Sequence, residues 1–231
     1  MSANEHLKRG ERLFPRKSSR VYWVLTELRK GYMRLADLGK ESTGATLVDY
    51  GCGNMPYRPL FEESGFKYIG YDFEGNDLAQ KLIEETGMLP VPDESVDYIL
   101  SSQVLEHVTD PVVYLGEAKR VLRKDGKLLL STHGVWRYHP DPTDYWRWTG
   151  DGLKKVIEEN GFRVTKIEGV IGPAATGIQL FQDAWMENVP RIFRTTFIRI
   201  CQFAMAYADR RCHDMTKSKD ACVFLVQAIK I

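Results

Sequence analysis

The sequence has few cysteines, no excess charge of either sign and no long apolar run. Its four cysteines, Cys52, Cys201, Cys212 and Cys222, show no CxxC spacing, which argues against a structural zinc site and against a disulfide framework. We therefore expect reduced thiols in a cytoplasmic protein, and no metal site. The apolar runs are shorter than the ~20 residues that a membrane span needs, so we predict a protein that is soluble or lies on a membrane surface.

The formal net charge is only +1, from 32 basic and 31 acidic side chains. The chain thus lacks the overall positive field that attracts nucleic acid, and no nucleic-acid partner is expected. Basic side chains are concentrated only at the N-terminus, at Lys8, Arg9, Arg12, Arg16, Lys17 and Arg20. Such an arm is usually solvated, although contact with phosphates or an anionic membrane is an alternative.

A hydrophobic content of 43% over 231 residues is sufficient for one core domain with an elaboration. We divide the chain into a basic arm and packing helix (1–44), a core (45–171), a helical insert or lid (172–220) and a final core strand (221–231). Within the core, short β-rich runs alternate with helical patterns. This alternation is typical of a doubly wound α/β fold, in which helices cover both faces of a parallel sheet.

The pattern predicts individual elements. Strands are expected at Ala45–Tyr50, Tyr68–Tyr71, near Leu82, and at Tyr98–Ser101, Lys127–Thr132, Phe162–Val170 and Ala221–Ile229. Helices are expected at Val21–Leu38, Pro56–Glu63, near Asp77, and at Pro111–Leu122 and Asp151–Asn160.

The insert has two candidate helices, at about 177–188 and 190–211. In the second, one side of the helix carries the apolar residues Phe193, Phe197, Ile200, Ala204 and Ala208, and we expect this side to be buried. The arginines of the helix lie away from it, at Arg191, Arg194, Arg199 and Arg210. A lid packed on the core is the favoured interpretation, and a homodimer contact or a peripheral membrane contact through the 172–220 helices is the alternative.

Two glycines follow the first core strand. The segment Leu47-Val-Asp-Tyr-Gly-Cys-Gly-Asn54 places Gly51 and Gly53 where a strand must turn into a helix, and the absence of side chains there lets a ligand approach the backbone. Asn54 is a suitable N-cap for the helix. The next strand ends at Asp72, and a carboxylate about 20 residues after such a turn can accept the ribose hydroxyls of a nucleotide-like ligand.

Five segments occur in a fixed order: Val48-Asp-Tyr-Gly-Cys-Gly53, Gly70-Tyr-Asp72, Leu89-Pro-Val-Pro-Asp-Glu-Ser-Val-Asp-Tyr98, Gln103-Val-Leu-Glu-His-Val108 and Arg120-Val-Leu-Arg-Lys-Asp-Gly126. Together they resemble the ordered motifs of S-adenosylmethionine (SAM)-dependent methyltransferases of type 11, over roughly residues 45–170. The resemblance implies SAM as the cofactor and a Rossmann-like, seven-stranded, mostly parallel sheet with an antiparallel last strand. An NAD-binding domain would share the glycine turn and the acidic strand end, but not the Leu-Glu-His-Val segment.

The resemblance also implies a set of cofactor contacts: Asp49, Gly51, Cys52, Gly53, Asp72, Glu85, Thr86 and Gln103. The residues of the glycine turn would lie near the methionine end of SAM, and Asp72 would bind the ribose hydroxyls. Glu85 and the backbone after it would flank the adenine, and Gln103 would lie beside the cofactor. In this sequence Met55 replaces the usual third glycine, and Glu85 matches the usual adenine-binding acid only loosely.

The loop after the fifth strand, Trp136 to Thr149, concentrates aromatic and titratable side chains. Loops at the carboxyl ends of strands form ligand sites in α/β folds, so we expect this loop to line an acceptor pocket. His139, His133, Asp141 and Asp144 are candidate bases for a hydroxyl acceptor, and His107 is a further candidate. The alternative is an aromatic cover over the sheet. The run from His139 to Thr149 resembles a subset of these enzymes associated with bacterial glycan or lipid-linked sugar assembly.

We therefore predict a SAM-dependent methyltransferase that methylates an oxygen of a small-molecule or saccharide acceptor, such as a lipid-linked sugar. Methyl transfer is an in-line displacement that depends mainly on alignment of the reactants. An RNA-modifying methyltransferase and an inactive SAM-binding partner subunit are the two alternatives. The near-neutral charge disfavours the first, and the intact glycine turn with Asp72 disfavours the second.

Overall fold

The computed structural model describes residues 9–231, apart from the side chain of Arg9, so the first residues of the basic arm, including Lys8, lie outside the described part. Seven strands in this part form one mixed sheet. In chain order they are β1 (Thr46–Tyr50), β2 (Lys67–Asp72), β3 (Lys81–Leu82), β4 (Val96–Ser102), β5 (Leu122–His133), β6 (Phe162–Val170) and β7 (Val223–Lys230).

The strands lie in the order β3-β2-β1-β4-β5-β7-β6. Strand β1 pairs in parallel with both β2 and β4, and β5 pairs in parallel with β4. Strand β7 lies between β5 and β6 and is antiparallel to both. The prediction of a Rossmann-like, seven-stranded, mostly parallel sheet with an antiparallel last strand is therefore confirmed.

Eight α-helices surround the sheet in the described residues. They are α1 (Arg9–Leu13), α2 (Tyr22–Ala36), α3 (Arg58–Glu63), α4 (Pro111–Val121), α5 (Gly150–Glu159), α6 (Pro173–Trp185), α7 (Arg194–Asp209) and α8 (Asp214–Lys217). Short 3₁₀ turns follow α2 and α6 and precede α7. The N-terminus of α4 shows why a helix begins there: the Asp110 carboxylate accepts the Val112 amide at 2.8 Å, and Pro111 occupies the first turn.

The sheet separates two apolar layers. Because neighbouring side chains of a strand point to opposite faces, Leu47 packs with α2, α3 and the insert, whereas Val48 packs with α4 and α5. Strands β1 and β4 are buried along nearly their whole length. This burial holds their carboxyl ends in fixed positions, and the candidate site lies at those ends.

Two local predictions near the glycine turn are wrong. No helix forms near Asp77, because Gly75 adopts a φ of +98° and the chain makes successive turns between β2 and β3. Asn54 does not cap the next helix, since α3 begins only at Arg58 with Tyr57 in the capping position. Strand β5 also begins earlier than expected, at Leu122.

The second insert helix, α7, buries a different side from the expected one. Its buried residues are Ile198, Cys201, Gln202, Met205 and Asp209. Phe193 and Ile200, which were expected inside, are 58% and 63% exposed. The prediction of the buried face is therefore wrong, and α7 turns several apolar side chains outward.

Polar anchors explain this orientation of α7. The Gln202 side chain accepts the Trp23 amide at 2.7 Å and donates to the Gln182 side chain at 2.9 Å. The Asp209 carboxylate accepts the Gly172 amide at 2.8 Å and lies 2.8 Å from the Lys217 ammonium. Because a buried polar group is tolerated only with hydrogen-bond partners, these contacts fix which side of α7 faces the core.

All four cysteines are free thiols. Within residues 9–231, no helix combines the length and the apolarity that crossing a membrane requires.

Candidate active site

The glycine turn lies at the carboxyl end of β1. Gly51 and Gly53 have φ values of +82° and +51°, a region that residues with side chains rarely adopt. The Gly51 and Cys52 amides donate to the Tyr71 carbonyl at 3.0 and 2.9 Å, which ties the turn to β2. A Cβ atom added at Gly53 would meet no atom within 4 Å, so the backbone of this residue is open to a ligand.

Met55 occupies the position of the usual third glycine. It keeps the left-handed backbone that glycine would adopt without strain, with a φ of +49°. Its side chain is 4% exposed, and its sulfur would lie 2.7 Å from a Cβ atom at Gly70. The methionine thus fills space under the turn, which compensates for the unfavourable backbone.

Asp72 lies at the end of β2 and faces the turn. Its carboxylate accepts the Gly53 amide at 2.9 Å, the Asn76 side-chain amide at 2.7 Å and the Phe73 amide at 2.9 Å. Asn76 also donates to the Gly53 carbonyl at 2.8 Å. Sequence reasoning missed Asn76, which links the acidic strand end to the glycine turn. A carboxylate oxygen has two lone pairs, so Asp72 can still accept ribose hydroxyls.

Asp49 is buried under the turn, with 1% of its surface exposed. One carboxylate oxygen accepts a short hydrogen bond from the Tyr68 hydroxyl, and the other has no partner. Burial raises the pKa of Asp49 to about 7; the Asp72 charge adds to the shift, and the Tyr68 hydrogen bond opposes it. An unpartnered buried oxygen at this position fits the cationic methionine end of SAM.

Gln103 follows β4 and has a φ of +58°. Its side-chain amide donates to the Ser131 hydroxyl at 2.8 Å, and that hydroxyl also lies 2.6 Å from the Tyr32 hydroxyl. Tyr32 comes from α2, a contribution that sequence reasoning missed. The network holds the end of β4 against β5 and fixes the backbone at Gln103.

Glu85 and Thr86 are exposed in the turn after β3. The neighbouring Gly87 carbonyl accepts the Tyr50 hydroxyl at 2.5 Å. Since Tyr50 directly precedes Gly51, this bond connects the turn after β3 with the glycine turn. The role of Glu85 and Thr86 beside the adenine stays a prediction.

The loop after β5 folds back over the end of β4. The Glu106 carbonyl accepts the Tyr145 and Trp146 amides at 2.9 and 3.2 Å. Asp144 is held by Arg147, whose two terminal nitrogens each lie 2.6 Å from a carboxylate oxygen. Burial raises the pKa of Asp144, but the hydrogen bonds from Arg147 and from the His139 amide outweigh it and lower the pKa to about 2. Asp144 thus anchors the loop.

Three imidazoles meet inside this loop. The His133 and His139 ring centroids are 4.7 Å apart, and those of His107 and His139 are 5.1 Å apart. The buried Glu106 carboxylate lies 3.7 Å from Nδ1 of His133, and its other oxygen accepts the Thr132 hydroxyl at 2.8 Å. Sequence reasoning named the histidines, but not their convergence with Glu106.

Burial dominates the electrostatics of this cluster. It raises the pKa of Glu106 to about 6 and lowers the pKa of His133 well below its ordinary value, where the neighbouring His139, Arg147 and His107 act in the same direction. Burial also lowers the pKa of His139, against the opposing charge of Asp144. His133 and His139 are therefore neutral near pH 7, and the Glu106–His133 contact is not an ion pair.

The other predicted bases lie in different surroundings. Asp141 is exposed, and it precedes Pro142 through a cis peptide bond. The Nδ1 atom of His107 bonds the Thr143 carbonyl, so this ring helps to hold the loop. His139 is half-buried, as His107 is, whereas Glu106 and His133 are buried, so a ligand can reach the His139 ring.

A glycine turn after β1, an acidic end on β2 and a polar loop after β5, all on one edge of this sheet, define a class I SAM-dependent methyltransferase. The chain belongs to the methyltransferase domain family, which matches residues 21–167. The predicted family, cofactor and enzyme class are thus confirmed.

Comparisons with known proteins agree with this family assignment. A probable S-adenosylmethionine-dependent methyltransferase of Mycolicibacterium smegmatis is 28% identical over 176 residues, which cover 70% of this chain and 67% of that protein. An uncharacterized methyltransferase of Mycobacterium ulcerans is 35% identical over 196 residues, covering 68% of this chain and 75% of that protein. A solved SAM-dependent methyltransferase from Archaeoglobus fulgidus has a TM-score of 0.56 at 20% identity, covers 92% and 95% of the two chains, and shows the fold.

Proposed function

We propose that the chain transfers the methyl group of SAM to an oxygen of a small-molecule or saccharide acceptor. The convergence of Glu106, His133 and His139 at the carboxyl end of β5 supports this proposal. A hydroxyl must lose its proton as the new bond forms, and a cluster of neutral imidazoles beside the cofactor can assist that loss. In the reaction the sulfur–methyl bond of SAM breaks, the oxygen–methyl bond forms, and the hydroxyl proton is released.

The cofactor half of the site is assigned to the residues that the glycine turn brings together. Asp72 would accept the ribose hydroxyls, and Asp49 would face the methionine ammonium. Gln103 would hold the end of β4 beside the sulfonium, and Glu85 with Thr86 would flank the adenine. These residues position SAM, and the acceptor half then decides which oxygen is aligned with the methyl group.

The acceptor half is assigned to the loop after β5. We assign contact with the acceptor to His139, because it is the accessible member of the cluster. Asp144 would act as a positioning residue, since it fixes the His139 backbone through a 2.8 Å hydrogen bond. His107 would support the loop, and Asp141 would lie at the pocket rim. The contact of 3.6 Å between Arg137 and Asp183 of α6 supports the insert as a lid beside this loop.

The test separates cofactor binding from methyl transfer. Purified protein would receive SAM with a labelled methyl group and a panel of sugars, nucleotide sugars and lipid-linked sugars. His139→Ala should lower turnover by about 100-fold with near-normal SAM affinity. Asp72→Ala should weaken SAM binding itself. Transfer of label to RNA, with an affinity that falls steeply as salt rises, would overturn the proposal in favour of an RNA substrate.

We further propose that the insert contacts an anionic membrane, where a lipid-linked acceptor would be found. The outward side of α6 and α7 carries large exposed apolar residues, which we call the insert surface: Phe181, Trp185, Phe193, Ile200, Phe203 and Tyr207. The same segment carries arginines at Arg191, Arg194, Arg199, Arg210 and Arg211. Among the described residues only Arg194 of these five has an acidic side chain within 4 Å, Glu187 at 3.6 Å. Exposed aromatic side chains together with arginines match the interface of an anionic bilayer.

Vesicle flotation tests this contact. Vesicles with about 30 mol% anionic lipid should carry the protein upward, whereas neutral vesicles should not. Phe203→Ser should reduce flotation. Val113→Ser is the matched control, because Val113 is 61% exposed on α4 at the opposite face of the sheet. Equal flotation of both variants, or a dimer in solution that Phe203→Ser dissociates, would overturn the membrane assignment.

A further inference from the structure

Three polar atoms without partners occur together at the end of β5. They are Oε1 of Glu106, Nδ1 of His133 and Nδ1 of His139, and among residues 9–231 none of them has a hydrogen-bond partner. These three residues also offer candidate ligand atoms that all lie within 4.8 Å of one another. The grouping is unusual, because each residue comes from a different segment: the end of β4, the end of β5 and the following loop.

These three side chains are held in place although the named atoms have no hydrogen-bond partner among the described residues. Glu106 is 0% exposed and His133 is 7% exposed, so bulk solvent does not reach these two side chains. A buried polar group without a partner is costly and calls for an explanation, such as a bound ion or water. The separation of 3.7 Å between the Glu106 carboxylate and His133 is too long for a direct hydrogen bond.

The surrounding contacts hold these three side chains in place. The Thr132 hydroxyl donates to the far oxygen of Glu106 at 2.8 Å and leaves the near oxygen unpartnered. The Asp144 carboxylate is occupied by Arg147 and by the His139 amide, and the His139 ring at 3.4 Å makes no hydrogen bond to it. Outer contacts that orient ligand side chains are a regular feature of metal sites.

We propose that Glu106, His133 and His139 form a binding site for a divalent transition-metal ion. Two neutral imidazoles and one carboxylate are a donor set that suits Zn²⁺, Fe²⁺ or Mn²⁺, whereas Mg²⁺ prefers oxygen ligands alone. Three protein ligands leave at least one coordination position open, as in catalytic zinc sites. Metal–ligand bonds of about 2.0–2.2 Å require the side chains to draw together, and His139 lies on a loop that can supply this adjustment.

The open coordination position would give the ion a role in the proposed methyl transfer. Of the statements about the metal site, only this one rests on the proposed function. A divalent ion beside the acceptor would lower the pKa of a hydroxyl and favour loss of its proton. His139 would then act through the ion. Metal binding itself requires only the three side chains and can be measured without any acceptor.

Co²⁺ is a suitable probe, because its visible absorption reports the ligands around it. Protein stripped with a chelator should bind Co²⁺ at one site per chain, and Zn²⁺ should displace it. Glu106→Gln and His139→Ala should each weaken binding by at least about 100-fold, because even the loss of an outer contact of a metal ligand costs about 10–100-fold. His213→Ala is the matched control, because His213 is exposed in the insert before α8, and it should bind Co²⁺ as the unaltered chain does.

SAM affinity, measured calorimetrically in the same variants, reports correct folding. Normal SAM affinity with lost Co²⁺ binding in Glu106→Gln and His139→Ala is the expected result. Absence of stoichiometric Co²⁺ binding, or equal binding in these variants, would overturn the metal site. Stoichiometric metal binding without methyl transfer to any hydroxyl would instead leave the site in place and reject the proposed function.

Discussion

The buried Asp49 predicts a cofactor affinity that depends on pH. In the free protein its pKa is about 7, because burial disfavours the carboxylate. If its unpartnered oxygen faces the SAM ammonium, bound SAM stabilises the carboxylate and lowers that pKa. SAM therefore binds the deprotonated form, and binding at low pH must first remove the proton. The affinity should rise as pH rises to about 7, above which the SAM ammonium begins to lose its own proton.

The magnitude follows from the fraction of protein that is deprotonated. With a pKa of about 7, roughly 3% of Asp49 is ionised at pH 5.5 and roughly 50% at pH 7. The dissociation constant of SAM should thus fall by about 16-fold between these two values, equivalent to about 1.6 kcal/mol. Tyr68 and Asp72 are the polar side chains that act on Asp49 in the free protein.

Calorimetry over this pH range measures the effect, and two controls isolate it. Asp49→Asn keeps the shape and an acceptor for Tyr68, and it should bind SAM with little pH dependence. Methylthioadenosine lacks the amino-acid end of SAM, so its affinity for the unaltered chain should also vary little. An equal pH dependence of SAM binding in Asp49→Asn would refute the reasoning.

The same group links stability to pH. Folding raises the pKa of Asp49 from 3.8 to about 7. The protonated carboxyl group therefore stabilises the folded protein fully below about pH 3.8, and this contribution is lost as pH rises through about 7. The free chain should therefore lose stability relative to Asp49→Asn between about pH 4 and 7, by up to about 4 kcal/mol. Chemical denaturation at the two ends of this range measures the difference.

Three further variants test the remaining geometry. Asp72→Ala should weaken SAM and S-adenosylhomocysteine alike by about 1.5–3 kcal/mol, because a charged acceptor for the ribose is lost; unchanged calorimetric affinity in a folded variant would contradict this. Met55→Gly should be less destabilising than Met55→Ala by about 0.5–1 kcal/mol, since both lose the buried side chain but only alanine keeps the strain of a positive φ; denaturation curves in the reverse order would count against it. Arg147→Ala should cost about 3 kcal/mol by leaving the Asp144 carboxylate unpaired, and a double variant that also carries Asp144→Ala should recover part of this loss.

The sequence could predict the glycine turn and the position of Asp72 because this geometry is local. The turn at Gly51 and Gly53 requires positive φ values wherever it occurs, and parallel pairing of β1 with β2 brings Asp72 to the same edge. The errors nearby have a common cause. Asn76 bonds both Asp72 and Gly53, and this contact between two loops replaces the expected helix near Asp77. Propensity describes single segments and carries no information about such contacts.

For the loop after β5 the sequence could predict only the location. Patterns placed the loop at the carboxyl end of β5, but the bonds from the Tyr145 and Trp146 amides to Glu106 decide how the loop folds. The expectation of no metal site was drawn from cysteine spacing. Glu106 and His139 lie in separate segments, so their convergence is a property of the sheet and of the loop that closes on it.

The orientation of α7 shows most clearly what a hydrophobic pattern omits. The hydrophobic pattern ranks the sides of the helix by apolar content and would bury Ile200. The fold buries Gln202 and Asp209 instead, because α2 and α6 supply hydrogen bonds that match these two side chains. Each such bond contributes only about 1 kcal/mol, but leaving its buried partner unsatisfied costs more. The helix therefore turns Phe203 and Tyr207 outward at the expense of apolar burial. Large exposed apolar surfaces mark sites of interaction with proteins or membranes, and a membrane that carries the acceptor would supply such a partner.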